Sequence, residues 1–113
     1  MLTPFERGLI AHLVADWILQ NDWMATHKGD LRHPAGWVHT SIHVVLLGLA
    51  LGWLAGLVLG LTHLIIDTRA VLNWWQRVFR QTTDGRYALH VAIWGDQVLH
   101  ITAIAIWVSL APA

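Results

Sequence analysis

The chain has 113 residues, 56% of them hydrophobic and 12% charged, with seven basic side chains balancing seven acidic ones and no cysteine. A soluble domain carries about 25% charged residues, so this composition, at a length sufficient for one domain, points to a membrane-embedded protein. The missing cysteine excludes disulfides, thiolate zinc sites and cysteine-ligated iron–sulfur clusters, and the absence of a dense Lys/Arg cluster argues against nucleic acid as a partner.

Thr3-Pro4-Phe5-Glu6 reads as a helix start: Thr3 is the N-cap, Pro4 takes the first helical position and Glu6 reaches back to close a capping box. The first helix is expected over about residues 4–22. Glu6, Arg7, His12 and Asp16 break the basic, apolar, small-residue order of a secretory leader. Residues 21–35, with Lys28, Gly29, Asp30, Arg32 and Pro34, read as a polar loop. From Trp37 to Trp75 the chain is apolar over nearly twice the length of about 20 residues that one span needs, which predicts a hairpin turning near Gly52 to Gly56. The second and third helices are then expected at about 36–52 and 56–80. Thr82-Thr83-Asp84-Gly85 is a turn, and a fourth helix follows over about 87–110. The expected fold is all-α: one membrane domain over 1–113, built as an up-down-up-down four-helix bundle.

Each of these helices carries one pair of metal-ligating side chains spaced i, i+4: His12 with Asp16, His39 with His43, His63 with Asp67, and Asp96 with His100. That spacing places both members on one helix face, about 6 Å apart along the axis. The pairs also agree in depth. His43 and His63, like His39 and Asp67, are centred on residue 53 in the expected hairpin; Asp67 with Asp96 and His63 with His100 are centred on 81 to 82; His12 with His43 and Asp16 with His39 on 27 to 28. An antiparallel bundle therefore sorts them into two layers, His12, His43, His63 and His100 toward the chain termini, and Asp16, His39, Asp67 and Asp96 one turn below.

An ionisable group inside a bilayer costs about 2.5 to 3.5 kcal/mol even on the lenient insertion scale, so the cluster calls for compensation. Divalent metal ions supply it by turning carboxylates and neutral imidazoles into ligands, as in bundle proteins with inward carboxylate and histidine ligands. Two ions against three carboxylates leave a small positive charge for a bound hydroxide or substrate anion. Zinc, iron and manganese all accept this N/O donor set. His27, His33 and His90 fall outside the pairs and are expected at solvent or the interface, whereas Gln20, Asp22 and Gln97 are candidates to orient ligands. Of the eight tryptophans, Trp53 and Trp107 fall toward the terminal side and Trp23, Trp37, Trp74 and Trp75 toward the loop side, as interfacial belts do; Trp17 and Trp94 are expected to pack around the site. Lys28, Arg32, Arg77, Arg80 and Arg86 share the loop side, which places loops 21–35 and 81–86 in the cytoplasm and the site nearer that face.

The stretches His12-Leu13-Val14-Ala15-Asp16-Trp17-Ile18-Leu19-Gln20, His63-Leu64-Ile65-Ile66-Asp67 and Asp96-Gln97-Val98-Leu99-His100 resemble a family of small bacterial integral-membrane proteins known only as a domain of unknown function, whose pattern is HLxxDFxLQ, HxxID and DQxxH. Trp17 stands where that family has Phe, and Arg69 where it has a lysine. The resemblance implies a multi-pass protein of the bacterial inner membrane and brings no activity with it. A looser likeness to bacterial membrane-bound metal-dependent hydrolases implies metal-assisted hydrolysis.

The expected function is thus a membrane metalloprotein hydrolysing a lipid-soluble ester or phosphoester, with Asp16 or Asp96 taking the proton from a metal-activated water. A di-iron oxidase would use the same ligands. The alternatives are a metal or proton transporter, or an accessory subunit holding a tetrapyrrole. Membrane lipids are the expected surroundings, with a homo-oligomer or larger membrane complex as the possible assembly.

Overall fold

A computed structural model describes residues 1–111 of the chain. Among these residues it is all-α, with α1 at Pro4–Leu13 continuing into a π-helical segment at Val14–Ile18, then α2 at Asp22–His27, α3 at Pro34–Leu51, α4 at Trp53–Asp67, α5 at Ala70–Val78 and α6 at Ala88–Leu110. The capping box is formed: Glu6 N–H donates to Thr3 Oγ1 at 3.2 Å and Thr3 N–H donates to Glu6 Oε2 at 2.7 Å.

The first helix departs from the expected 4–22. It is α-helical only to Leu13, and the next residues widen into a π-turn in which Leu19 N–H donates to the Val14 carbonyl at 3.0 Å. Single π-turns inside helices accompany functional sites because the extra residue re-aims a side chain. Asp16 sits in the middle of this one. The expected loop 21–35 also contains α2, whose start is capped by Asn21 Oδ1 accepting from Met24 N–H at 3.0 Å. Pro34 begins α3 at the first helical position, behind His33, whose Nδ1 accepts from Ala35 N–H at 3.1 Å.

The hairpin between α3 and α4 turns on one residue, Gly52, at φ 101°. Only glycine occupies that region without strain. The two helices then run in close contact: a Cβ placed on Gly56 would lie 2.7 Å from Gly48 Cα, so neither position has room for a side chain. The expected third helix, 56–80, is broken. Thr68 Oγ1 donates to the Ile65 carbonyl at 2.6 Å and Arg69 adopts the left-handed conformation at φ 65°, so α5 leaves α4 at an angle of 54°.

Packing is cyclic, α1 on α3, α3 on α4, α4 on α6 and α6 back on α1, with α5 against α4 and α6. Two helices, α3 and α6, are long and apolar enough to cross a membrane, and α4 with α5 makes a third if the bent pair is one span. The long dimension of 42 Å matches a bilayer with its head groups, about 40 to 45 Å. Leu47, Ala55, Leu59 and Ile104 form an apolar core beside Phe5 and Trp107. Outward faces are apolar too: Ile18, Leu49, Leu54, Leu89 and Trp94 are all more than 60% exposed. Trp94 therefore faces away from the centre, contrary to the expectation that it packs around the site.

Candidate metal centre

The interior that the four packed helices enclose is polar. His12, Asp16, His39, His43, His63, Asp67, Asp96 and His100 are each at most 4% exposed, and they converge from α1 and its π-helical continuation, α3, α4 and α6. The i, i+4 spacing explains the convergence, since each pair occupies one face of its helix and the cyclic packing turns those faces inward.

Asp16 Oδ1 lies 3.0 Å from Nε2 of His39, 3.0 Å from Nε2 of His43 and 3.7 Å from Nε2 of His63. His39 Nε2 and His63 Nε2 are themselves 2.9 Å apart. One carboxylate oxygen and three imidazole nitrogens thus point at a common locus, and these four residues form a set whose donor atoms all lie within 4.8 Å of one another. Two further sets meet the same condition, His12 with His63 and His100, and Asp16 with Asp96 and His100. The first set draws from both layers: Asp16 and His39 come from the lower layer, His43 and His63 from the upper.

A proton-sharing network satisfies this geometry poorly. Nδ1 of His39, His43 and His63 has no hydrogen-bond partner among the described residues, so each neutral ring would carry its proton on either an unpartnered Nδ1 or a crowded Nε2. With Nδ1 protonated, the three Nε2 lone pairs face one another and Asp16, which is repulsive without a cation between them. With Nε2 protonated, His39 and His43 compete for one Asp16 oxygen while His63 turns to Asp67 at 2.9 Å, and three buried Nδ1 acceptors go unmet, at a cost of about 1 to 3 kcal/mol each. A cation at the shared locus relieves the inner conflict and leaves only the outer Nδ1–H groups unmatched.

Asp67 belongs to none of the three sets. Its carboxylate lies 2.9 Å from His63 Nε2 and 3.1 Å from His100 Nε2, with the Lys28 ammonium 3.9 Å away. Lys28, expected as a loop charge on the cytoplasmic side, reaches Asp67 through the fold of 22–33, which residue spacing does not encode. Gln97 takes up the orienting role: Nε2 donates to Asp16 Oδ2 at 3.1 Å, while Oε1 accepts from His12 Nε2 at 2.9 Å. Asp96 is the least engaged carboxylate, with His100 Nε2 and Gln97 Nε2 both at 3.5 Å.

Of the other candidates, Asp22 is exposed at the start of α2 and His90 is exposed on α6. His27 and His33 stack on each other with centroids 3.9 Å apart, outside the centre. Gln76 of α5 is buried at 6% exposure, on a face that a straight helix over 56–80 would turn away from the centre.

Two spaces adjoin the cluster. A small void of 10 Å³ touches His12, His63 and His100, room for one water or ion. A cleft of 330 Å³ opens from Asp16, Asp96 and Gln97 toward the loop end, where Lys28 and Arg69 line it.

A model of the family described as "Protein of unknown function (DUF3307)" matches residues 5–112. No curated protein and no solved structure matches the chain.

Proposed function

Because the chain belongs to the DUF3307 family, whose description carries no activity, we propose a function from its own residues: a four-helix integral-membrane hydrolase with a dinuclear His/Asp metal centre. The observation that carries it is the meeting of Asp16, His39, His43 and His63 around one locus, with Asp16 and His63 each shared by a neighbouring donor set. The two oxygens of Asp16 could serve two ions, whereas the inward nitrogen of His63 would serve one. His12, His100 and Asp96 would complete the second position, and Asp67, which approaches Nε2 of both His63 and His100, would serve beside them as a further carboxylate ligand.

Bound divalent ions supply Lewis acidity and a water acidic enough to attack near neutral pH. The chain's own part follows from the geometry. Asp96 borders the cleft and makes only long contacts, so it is the residue suited to accept the proton of the attacking water and return it to the leaving alkoxide as the ester bond breaks. Asp16, held by Gln97 and facing two imidazoles, is a ligand more than a base. Zinc, iron and manganese all fit nitrogen and oxygen donors without sulfur. The exposed apolar faces support a membrane setting, and the basic side chains of 21–35 and 81–86 favour an inner-membrane orientation with those loops on the cytoplasmic side.

The tetrapyrrole alternative is less well supported. The His43 and His63 rings are stacked with centroids 3.5 Å apart and His63 and His100 at 4.1 Å, leaving no slot for a macrocycle between them.

The test is hydrolysis of p-nitrophenyl decanoate and of decyl p-nitrophenyl phosphate by purified protein in detergent, before chelation, after it, and after metal is returned. Activity on at least one substrate is expected to vanish and return, and Asp96→Asn is expected to lower kcat by about a hundredfold or more. Hydrolysis that survives complete chelation would contradict the reading.

A further inference from the structure

The cleft beside the cluster has two chemically distinct walls. Lys28 and Arg69 stand at its loop end, Asp16, Asp96 and Gln97 at its floor, and Trp17, Leu89 and Ile93 along its side. Trp17 and Leu89 are themselves 58% and 68% exposed on the outer surface. The cleft therefore connects the polar centre with the apolar exterior. Its 330 Å³ lies at the low end of ligand pockets, ample for a head group and the start of a chain.

The two cations need explaining. Lys28 has one carboxylate neighbour, Asp67, at 3.9 Å, beyond hydrogen-bonding distance, although its side chain is only 17% exposed. Arg69 forms no ion pair among the described residues, and its backbone holds the left-handed conformation, uncommon for a residue with a side chain. With two divalent ions at the centre, three carboxylates and these two side chains, the site carries roughly three uncompensated positive charges. An excess of that size at a partly desolvated site favours anionic company. A hydroxide and a doubly charged phosphate would neutralise it, whereas a carboxylic ester brings no charge at all.

Resting on the metal-hydrolase reading, we infer that this cleft takes a phosphate-bearing amphiphile, its phosphate held by Lys28 and Arg69 against the metal centre and its hydrocarbon lying along Trp17, Leu89 and Ile93. The substrate is then a phosphoester of a membrane-soluble alcohol. Its phosphate comes from the loop side and its chain remains in the apolar layer. Arg69 suits the planar two-point recognition of a phosphate, and Lys28 supplies a point charge beside it.

The probe is decylphosphonate, whose carbon–phosphorus bond resists hydrolysis, titrated calorimetrically into the zinc-loaded protein in detergent, with inorganic phosphate and decyl acetate as comparisons. Decylphosphonate is expected to bind at least about tenfold more tightly than either. Lys28→Gln and Arg69→Gln are each expected to weaken it about tenfold or more while zinc content stays at the wild-type level, and Arg77→Gln, exposed on α5, to change nothing. Unchanged affinity in both variants at full zinc content overturns the inference and leaves the metal centre standing. Equal affinity for inorganic phosphate would assign the cleft to a free anion and overturn the amphiphile. Loss of zinc in a variant would move that residue into the metal centre and out of the phosphate-holding role. Failure of the wild-type protein to hold zinc, iron or manganese removes the hydrolase reading and the inference with it.

Discussion

Gln97 Nε2 donates to Asp16 Oδ2 at 3.1 Å, and the same amide accepts from His12 through Oε1 at 2.9 Å. One uncharged side chain thereby fixes both members of the first pair, leaving Asp16 Oδ1 free to face His39 and His43. Gln97→Leu is expected to preserve the helices and weaken metal affinity by about 10- to 100-fold, the usual effect of losing a residue that orients a ligand. Competition against a chelator of known affinity measures it.

Asp16 and His12 should differ in their effect on stoichiometry. Asp16 belongs to two of the three donor sets and His12 to one. Asp16→Asn is expected to abolish most metal binding, whereas His12→Ala should remove no more than one ion per chain. Elemental analysis of the two variants side by side reads the difference.

The one-residue turn and the glycine contact behind it make the α3–α4 hairpin sensitive to small substitutions. At Gly52, φ is 101° and ψ 157°, a region essentially reserved for glycine, and alanine there should cost about 1 to 3 kcal/mol. At Gly56 an added Cβ meets the Gly48 backbone, so Gly56→Leu should destabilise by about 1 to 3 kcal/mol or more through overpacking. Thermal unfolding in detergent should show both variants melting below wild type, with Gly56→Leu lower than Gly56→Ala.

A metal held by these buried groups would couple to stability, because such ligands bind only when deprotonated. Chelation is expected to lower Tm, and excess metal to raise it. Acidification should release the ions, because protons compete with metal for imidazole nitrogen, so occupancy falls as pH decreases and returns on neutralisation. A Tm indifferent to both chelator and metal would contradict a metal-filled interior.

The outward faces carry the membrane reading. Val98 is 58% exposed on α6, between the inward Asp96, Gln97 and His100. In a soluble protein Val98→Arg would be nearly neutral; facing hydrocarbon it should cost about 2.5 to 3.5 kcal/mol and reduce membrane integration, with Val98→Leu as the tolerated control. Alkaline extraction of membranes followed by detection of the protein distinguishes the two.

Periodicity and capping chemistry account for much of what the sequence discloses here. Thr3, Pro4 and Glu6 mark the first helix start, and the fourth helix, expected at 87–110, is observed at Ala88–Leu110, because apolar length and local hydrogen bonds are properties of neighbouring residues. The i, i+4 pairs and their common depth bring the eight side chains together on paper for the same reason. The π-turn at Asp16 and the break at Thr68 and Arg69 were not legible, since neither carries a proline or glycine. At the π-turn Asp16 lies 3.4 Å from His12, and at the break Arg69 comes to line the cleft. Lys28 was read as a topology signal because its partner, Asp67, lies far away in the chain. Trp94 was expected near the centre from its proximity to Asp96, but the intervening helical rotation turns it outward.

The central claim is that the buried cluster holds metal, and metal content per chain tests it most directly. Protein purified without added chelator and analysed for zinc, iron and manganese together should carry close to two ions per chain, the number the proposed dinuclear centre requires. Less than about half an ion per chain, in a sample whose helical content is intact and which takes up no metal on reconstitution, would contradict the account.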